Sequence, residues 1–403
     1  VSGLISFLIV LLILAAFLRI DFFFYLFYLT VGMVVLGRWW AHRVAGAVTF
    51  SRHYPERVFW GERPVVRLDV HNDSVLPVLW MRIHDSLPIE LRSPNFFQQA
   101  LSLLPREKVS FSYELGCRRR GYYQLGPLAL ETGDLLGTTR VSRAYTNPDT
   151  MVVYPRIIPL AGLELPSRTL YGSLRSKQRI FEDPARVMGV RDYVPGDSLR
   201  QVAWKTSAVV GRLQVKRYQP AIALDTTIFV DLDRKDYSQM RLWVATELAI
   251  VVAASVANWL VEHRQAVGLG TNGLDALAGE GDKARPAIMR PRKGRDALMR
   301  ILDLLARVEM ADGPDFPALL QRETSRLTWG STLIVVTGRV REELFETLAR
   351  LRKSGFSVVL ISVDPSTAFR AIRKRASTIG VPSHEVWEEA DLERWGLADG
   401  GRP

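Results

Sequence analysis

The side chains with the most distinctive chemistry cluster near the middle of the chain, in Gly189-Val-Arg-Asp-Tyr-Val-Pro-Gly-Asp-Ser-Leu-Arg-Gln-Val-Ala-Trp-Lys-Thr-Ser-Ala and the following Gly211-Arg-Leu-Gln-Val-Lys-Arg-Tyr-Gln-Pro. Pro195-Gly196 suits a turn. Asp197 can cap a short helix whose first turns carry Arg200 and Trp204 four residues apart on one face. A guanidinium stacked on an indole contributes about 0.5 to 2 kcal/mol, depending on exposure. The stretch therefore reads either as an interdomain clasp with Trp204 buried or as a docking or anion-binding surface.

Other constellations are missing. The six histidines are scattered, with no pair at the spacing of a helical or finger-type zinc site, and Cys117 is the lone cysteine, which excludes an intrachain disulfide and a Cys-rich metal centre. The sequence contains no phosphate-cradling glycine loop, Gly-x-Ser-x-Gly elbow, Cys/His pair or His/carboxylate cluster. A non-enzymatic protein is expected, with a metal-dependent hydrolase as the alternative. The net charge of +11 suits anionic lipid, nucleic acid or an acidic partner. No nucleic-acid motif accompanies it, so nucleic acid is not expected as a partner.

Between Val1 and Gly37 the only charges are Arg19 and Asp21, which divide the stretch into two apolar arms, Val1 to Leu18 and Phe22 to Gly37. A bilayer core needs about 20 apolar residues per helix, with roughly 17 as the lower limit. Arg38, Trp39 and Trp40 can extend the second arm by snorkelling and interfacial anchoring. A transmembrane hairpin over residues 1–40 is the expectation. The competing cleaved signal peptide lacks a basic n-region, and apolar residues resume directly after Asp21. Arg38, Arg43, Arg52 and Arg57 follow with one acid, Glu56, so the soluble part is expected in the cytoplasm, tethered to the cytoplasmic membrane and in contact with its lipid.

Residues 47–155 show short alternating runs broken by Pro, Gly, Asn and Asp, such as Val109-Ser-Phe-Ser-Tyr-Glu-Leu, which predict a β-sandwich. Gly121 to Leu130 reads as one strand, entered through a basic turn at Arg118, Arg119 and Arg120. Residues 156–223 form a linker that carries the distinctive stretch. Over 224–403, strands at Thr226 to Leu232, Ala266 to Leu269, Leu333 to Thr337 and Ser357 to Val363 alternate with helices, which predicts a doubly wound, mostly parallel α/β domain. The apolar run Leu242 to Val261 is long enough to span a membrane but is better explained as the central helix of that domain. Gly273 to Lys293 is expected to be a surface excursion.

Arg191, Tyr193, Pro195, Gly196, Asp197, Arg200, Trp204, Lys205, Ser207 and Ala208, with Gly211-Arg-Leu and Tyr218, resemble the signature of the domain of unknown function 58 (DUF58) family. Arg119-Arg-Gly-Tyr-Tyr-Gln-Leu-Gly-Pro, Val153-Tyr-Pro-Arg and the hairpin extend the resemblance. It implies a von Willebrand factor A-like α/β domain and genes that often neighbour those of MoxR-type AAA+ ATPases and transglutaminase-like membrane proteins, which makes such an ATPase the expected partner. In such domains an Asp-x-Ser-x-Ser motif helps hold a divalent metal. Here Asp231-Leu-Asp233-Arg-Lys235 lacks both serines, and Thr337-Gly338 stands where a further Asp belongs. Asp231 and Asp233, with Asp236 nearby, remain candidate Mg²⁺ ligands at the sheet's C-terminal edge, although no cofactor is expected. The expected function is a membrane-tethered scaffold or adaptor that works with an AAA+ ATPase on cell-envelope complexes. A lipid or glycan binder using the sandwich is a further alternative.

Overall fold

A computed structural model describes residues 2–18, 21–91, 97–134, 137, 139–145, 149–161, 182–194, 202–220, 225–277, 287–364 and 369–395. The chain divides into two compact units, Val1–Arg156 with Leu302–Val308, and Ile157–Ile301 with Glu309–Pro403.

The first unit begins with helices α1 (Ser2–Leu18) and α2 (Asp21–Ala47). α2 is long and apolar enough to cross a membrane, and α1 is a shorter apolar helix packed beside it. Large apolar side chains stay exposed along both, among them Phe17, Phe22, Tyr25 and Leu36, which is how a lipid-facing surface looks. α2 does not stop at residue 40. It continues to Ala47 because Ala41, Val44 and Ala45 are buried and Val44 joins the core of the following strands. Trp40 Nε1 donates to Pro77 O at 3.1 Å. The long apolar helix thus enters the sheet region without a linker.

Ten strands follow: β1 (Val48–His53), β2 (Arg57–Phe59), β3 (Val65–Asn72), β4 (Val78–Asp85), β5 (Gln98–Leu103), β6 (Lys108–Glu114), β7 (Gly121–Leu125), β8 (Leu128–Gly133), β9 (Arg140–Tyr145) and β10 (Asp149–Tyr154). They form sheets ordered β1-β3-β6, β5-β4-β8-β9 and β2-β10-β7. Val66, Leu68 and Val70 of β3 meet Met81 and Ile83 of β4 and Leu128 and Leu130 of β8 in one core, a sandwich-like arrangement that the period-two pattern encodes. The single expected strand at Gly121 to Leu130 is two strands in different sheets. Gly126 has φ +107° and Pro127 has no N–H for a ladder, so the chain turns there. Arg120 is not solvated: it is 9% exposed and donates to Leu305 O, Ala306 O and Val308 O at 2.8, 3.2 and 2.9 Å within the same unit. Cys117 is buried, and burial pushes its thiol up to about 11, so it is an inert core residue.

The second unit opens with β11 (Glu182–Asp192), α3 (Trp204–Val210) and β12 (Gln214–Pro220), the two strands pairing antiparallel. Then come β13 (Thr226–Val230), α4 (Leu242–Glu262), β14 (Val267–Thr271), β15 (Leu274–Asp275), β16 (Ala287–Arg292), α5 (Arg295–Arg307), β17 (Val308–Glu309), α6 (Phe316–Thr324), β18 (Thr332–Thr337), α7 (Glu342–Lys353), β19 (Ser357–Ser362), α8 (Phe369–Thr378), β20 (Ser383–Glu385) and α9 (Glu389–Glu393), of which Leu302–Val308, the end of α5 and the start of β17, counts with the first unit. One six-stranded sheet runs β16-β14-β13-β18-β19-β20, parallel except for β16. β13, β14, β18 and β19 are buried at every position, as strands covered on both faces must be. α4 passes the length and hydropathy test for a membrane span, but it is mostly buried and packs on β13, β14 and β18. The expected surface excursion at Gly273 to Lys293 contains an ordered edge strand, β16. Its half-polar alternation and Pro291 hid it, and both suit an edge.

Candidate functional site

In this order the first strand, β13, lies between the second, β14, and the fourth, β18, so the chain switches direction across the sheet at β13/β18. Open α/β sheets bind ligands outside the C-terminal ends of strands at such a point. Asp231 directly follows β13, Asn272 directly follows β14, and β18 ends at Thr337 with Gly338 next.

Asp231 is fully buried. Its Oδ1 accepts from Asp233 N at 3.1 Å and Asn272 Nδ2 at 3.0 Å, and its Oδ2 accepts from Thr337 Oγ1 at 2.8 Å. Tyr237 OH donates to the Asp231 carbonyl. Asp236, also buried, acts on Asp231 as a neighbouring negative charge and is itself held by Arg341 Nε. Asp233 turns away to cap a short 3-10 turn, accepting from Lys235 N at 3.1 Å.

This donor set does not fit a divalent cation. Both lone pairs of Asp231 Oδ1 already receive N–H groups, Oδ2 takes a hydroxyl, and the guanidinium of Arg341 stands beside Asp236 where a metal would supply positive charge. Among the described residues no group of three or more His, Cys, Asp or Glu is placed to hold a metal ion. The loop is instead a self-satisfied polar hub.

Burial, then the Asp236 charge, push the Asp231 carboxyl well above its ordinary range, and burial beside the same carboxylates raises Tyr237. A carboxyl raised in the folded state holds a proton that the unfolded chain has released. Its stabilisation is present below the unfolded value of 3.8 and is lost as pH rises toward the folded value. Asp231→Asn should therefore remove a downward slope of up to about 1.4 kcal/mol per pH unit. Urea unfolding between pH 4 and 8 should show that slope in the parent protein and a flatter profile in the variant, with Mg²⁺ or chelator shifting neither. Parallel profiles, or a Mg²⁺-dependent midpoint, would contradict it.

Around the hub lies an arginine and aromatic surface that the sequence did not signal. Asp364, at the end of β19, accepts from Ser238 N at 2.6 Å and faces Arg241 and Arg339 at 3.8 and 3.6 Å. Arg241 lies 4.9 Å from the Trp387 ring centroid and donates to Trp387 O at 2.7 Å. Next to these, Met240 is 98% exposed, and Trp243, Val244 and Trp387 are also exposed. Asp364, Asn272, Arg241, Arg339 and Arg341 share one signal, a position just after a strand of the parallel sheet or in the turn that follows.

The central signature is only partly within the described residues: Pro195, Gly196, Asp197 and Arg200 lie outside them. Arg191 lies in β11 and Tyr193 just after it, with Tyr193 N donating to Leu213 O at 2.9 Å. Ser207 pins α3 to β12, since its Oγ donates to Ala203 O at 3.0 Å and accepts from Gln214 N at 2.8 Å. The expected clasp pairs Trp204 with Arg200, which lies outside the described residues. α3 starts at Trp204 with Ala203 at its N-cap and no side-chain cap, and the indole is 64% exposed. Lys205 is also exposed. The first turn of a seven-residue helix leaves Trp204 facing solvent, so the signature's aromatic is a surface group. Trp204→Ala should cost under about 1 kcal/mol in urea unfolding. A loss of about 3 kcal/mol, as for a buried indole, would restore the clasp.

Residues 189–376, which include the signature and most of this sheet, match the family described as "Protein of unknown function DUF58". The Bacillus subtilis (strain 168) "Uncharacterized protein YeaD" is 26% identical over 220 residues, 53% of this chain and 53% of that protein. The chain thus spans about half the length of the curated relative it matches. Among solved structures, the CARDB domain of the PF1109 protein from Pyrococcus furiosus overlaps 26% of this chain and 91% of its own, at 16% identity and a TM-score of 0.21. Native alpha-2-macroglobulin from Escherichia coli overlaps 31% of this chain and 21% of its own, at 15% identity and a TM-score of 0.24. Overlaps this slight carry neither fold nor activity across.

Proposed function

We propose that this chain is a DUF58-type, membrane-tethered scaffold or adaptor whose von Willebrand factor A-like domain docks a protein partner at the C-terminal edge of its six-stranded sheet. The sheet order, with an antiparallel strand at one edge, supports the A-type reading. The observation that carries the docking reading is the exposed Met240, Trp243, Val244 and Trp387 beside Arg241, Arg339 and Arg341. Aromatic, Met and Arg side chains in one patch are the composition of interface hot spots. The patch surrounds a hub whose own polar groups are satisfied, which suits binding more than turnover.

The partner in this reading is a MoxR-type AAA+ ATPase, acting with the chain on cell-envelope complexes at the cytoplasmic membrane. Arg38, Arg43, Arg52 and Arg57 after the hairpin support a cytoplasmic folded part by the positive-inside tendency. A C-terminal reporter active only outside the cytoplasm should stay silent, and a signal would reverse the topology. Crosslinking in native membranes followed by mass spectrometry should recover an AAA+ ATPase. Sustained small-molecule turnover by the purified protein would overturn the scaffold reading.

A further inference from the structure

A second candidate site lies in the same unit, on β13, β16 and α6. Thr227 and Phe229 of β13 register against Gly268 and Gly270 of β14. With no side chain at 270, the Phe229 ring lies across β14: a Cβ on Gly270 would sit 2.7 Å from it. Phe229, Thr227, Ile288 and Leu327 then line a cavity of about 470 Å³. Cavities of roughly 300 to 1,000 Å³ hold single small molecules.

Two features say what kind of molecule. Thr227 is 2% exposed, and its hydroxyl finds no partner among the described residues, although a buried hydroxyl is stabilised only by making a hydrogen bond. Among the described residues the cavity is also lined by Arg290, Arg322 and Arg326 against a single carboxylate, Glu323. Glu323 is held by Arg322 Nε at 2.9 Å and Arg326 Nη1 at 3.4 Å. Arg290 makes no ion pair among the described residues. Three guanidiniums facing one acid leave the mouth electropositive, while the floor is apolar and aromatic.

We propose that this cavity binds a small organic anion, a carboxylate on an apolar or aromatic body, with Arg290 and its neighbours taking the carboxylate and Phe229, Ile288 and Leu327 the body. Charge-assisted guanidinium–carboxylate bonds supply the specificity. The volume suits a single small molecule and not a two-chain lipid. The site is independent of the docking edge.

The test is calorimetric titration of the full chain in zwitterionic-lipid nanodiscs with phenylalkanoates from phenylacetate to 6-phenylhexanoate. At least one acid should bind saturably, the matching amide should bind about tenfold more weakly or worse, and Arg290→Glu should weaken the acid by a similar factor. Ile288→Trp, which fills the cavity from its rim, should abolish binding. No acid binding below about 10 mM, equal binding of acid and amide, or undiminished binding in either variant would overturn the proposal.

Discussion

Arg52→Met should destabilise the sandwich by about 3 to 5 kcal/mol, the typical cost of leaving a buried charge without its partner. The Arg52 side chain is 3% exposed, with Nη2 2.7 Å from Asp85 Oδ1 and Nη1 2.5 Å from Asp149 Oδ2. Asp85 is fully buried, and its other oxygen accepts from Tyr113 OH at 2.5 Å. Burial pushes the Asp85 carboxyl up while Arg52 pulls it down, and Tyr113 is raised by burial and by Asp85. Without Arg52 the carboxylate keeps only the tyrosine. Amide exchange in β3 and β4 should accelerate by about 10²-fold to several thousandfold. The double variant Arg52→Met, Asp85→Leu should recover most of the loss, because a buried pair replaced by apolar groups is often neutral. Unchanged exchange in the single variant would show that the pair is dispensable.

Gly338→Ala is the second large effect, at the upper end of overpacking costs, about 3 kcal/mol. A Cβ at 338 would lie 2.3 Å from Asp236 O and 2.6 Å from the Tyr237 ring. The carbonyl cannot retreat easily, since it accepts from Arg339 N at 2.7 Å, and Gly338 O is held by Ser362 Oγ at 2.5 Å. The methyl therefore pushes directly on the loop that carries Asp231, Asp236 and Tyr237. Urea unfolding of this unit should report the loss, and a cost below about 1 kcal/mol would mean that the loop yields.

Where one physical rule dominated, the sequence was legible. Uninterrupted apolar runs gave β13, β14, β18 and β19, because a strand buried on both faces has no polar period. Alternation gave β3 and β6. The break at Gly126-Pro127 was written in the residues, yet the flanking apolar pattern outweighed it. The end of α2 was not legible, because Ala41, Val44 and Ala45 stay helical through packing on strands far along the chain. The exposure of Trp204 was not legible, because helical spacing says which residues share a face and not whether that face is covered. Asp231 was found from its place after an apolar strand. Its partners Asn272, Thr337 and Arg341 come together only through sheet order, which no local pattern reveals.

Docking at the C-terminal edge is tested most directly by placing a photo-crosslinking phenylalanine derivative at Met240, 98% exposed beside β13's end, and separately at Trp329, 57% exposed before β18 at the opposite edge. Irradiation of native membranes should give one discrete protein adduct from position 240 and none from 329. That adduct should be lost when Arg339→Glu and Trp387→Ala are added. The same adducts from both positions, or none from 240, would contradict a partner-binding edge.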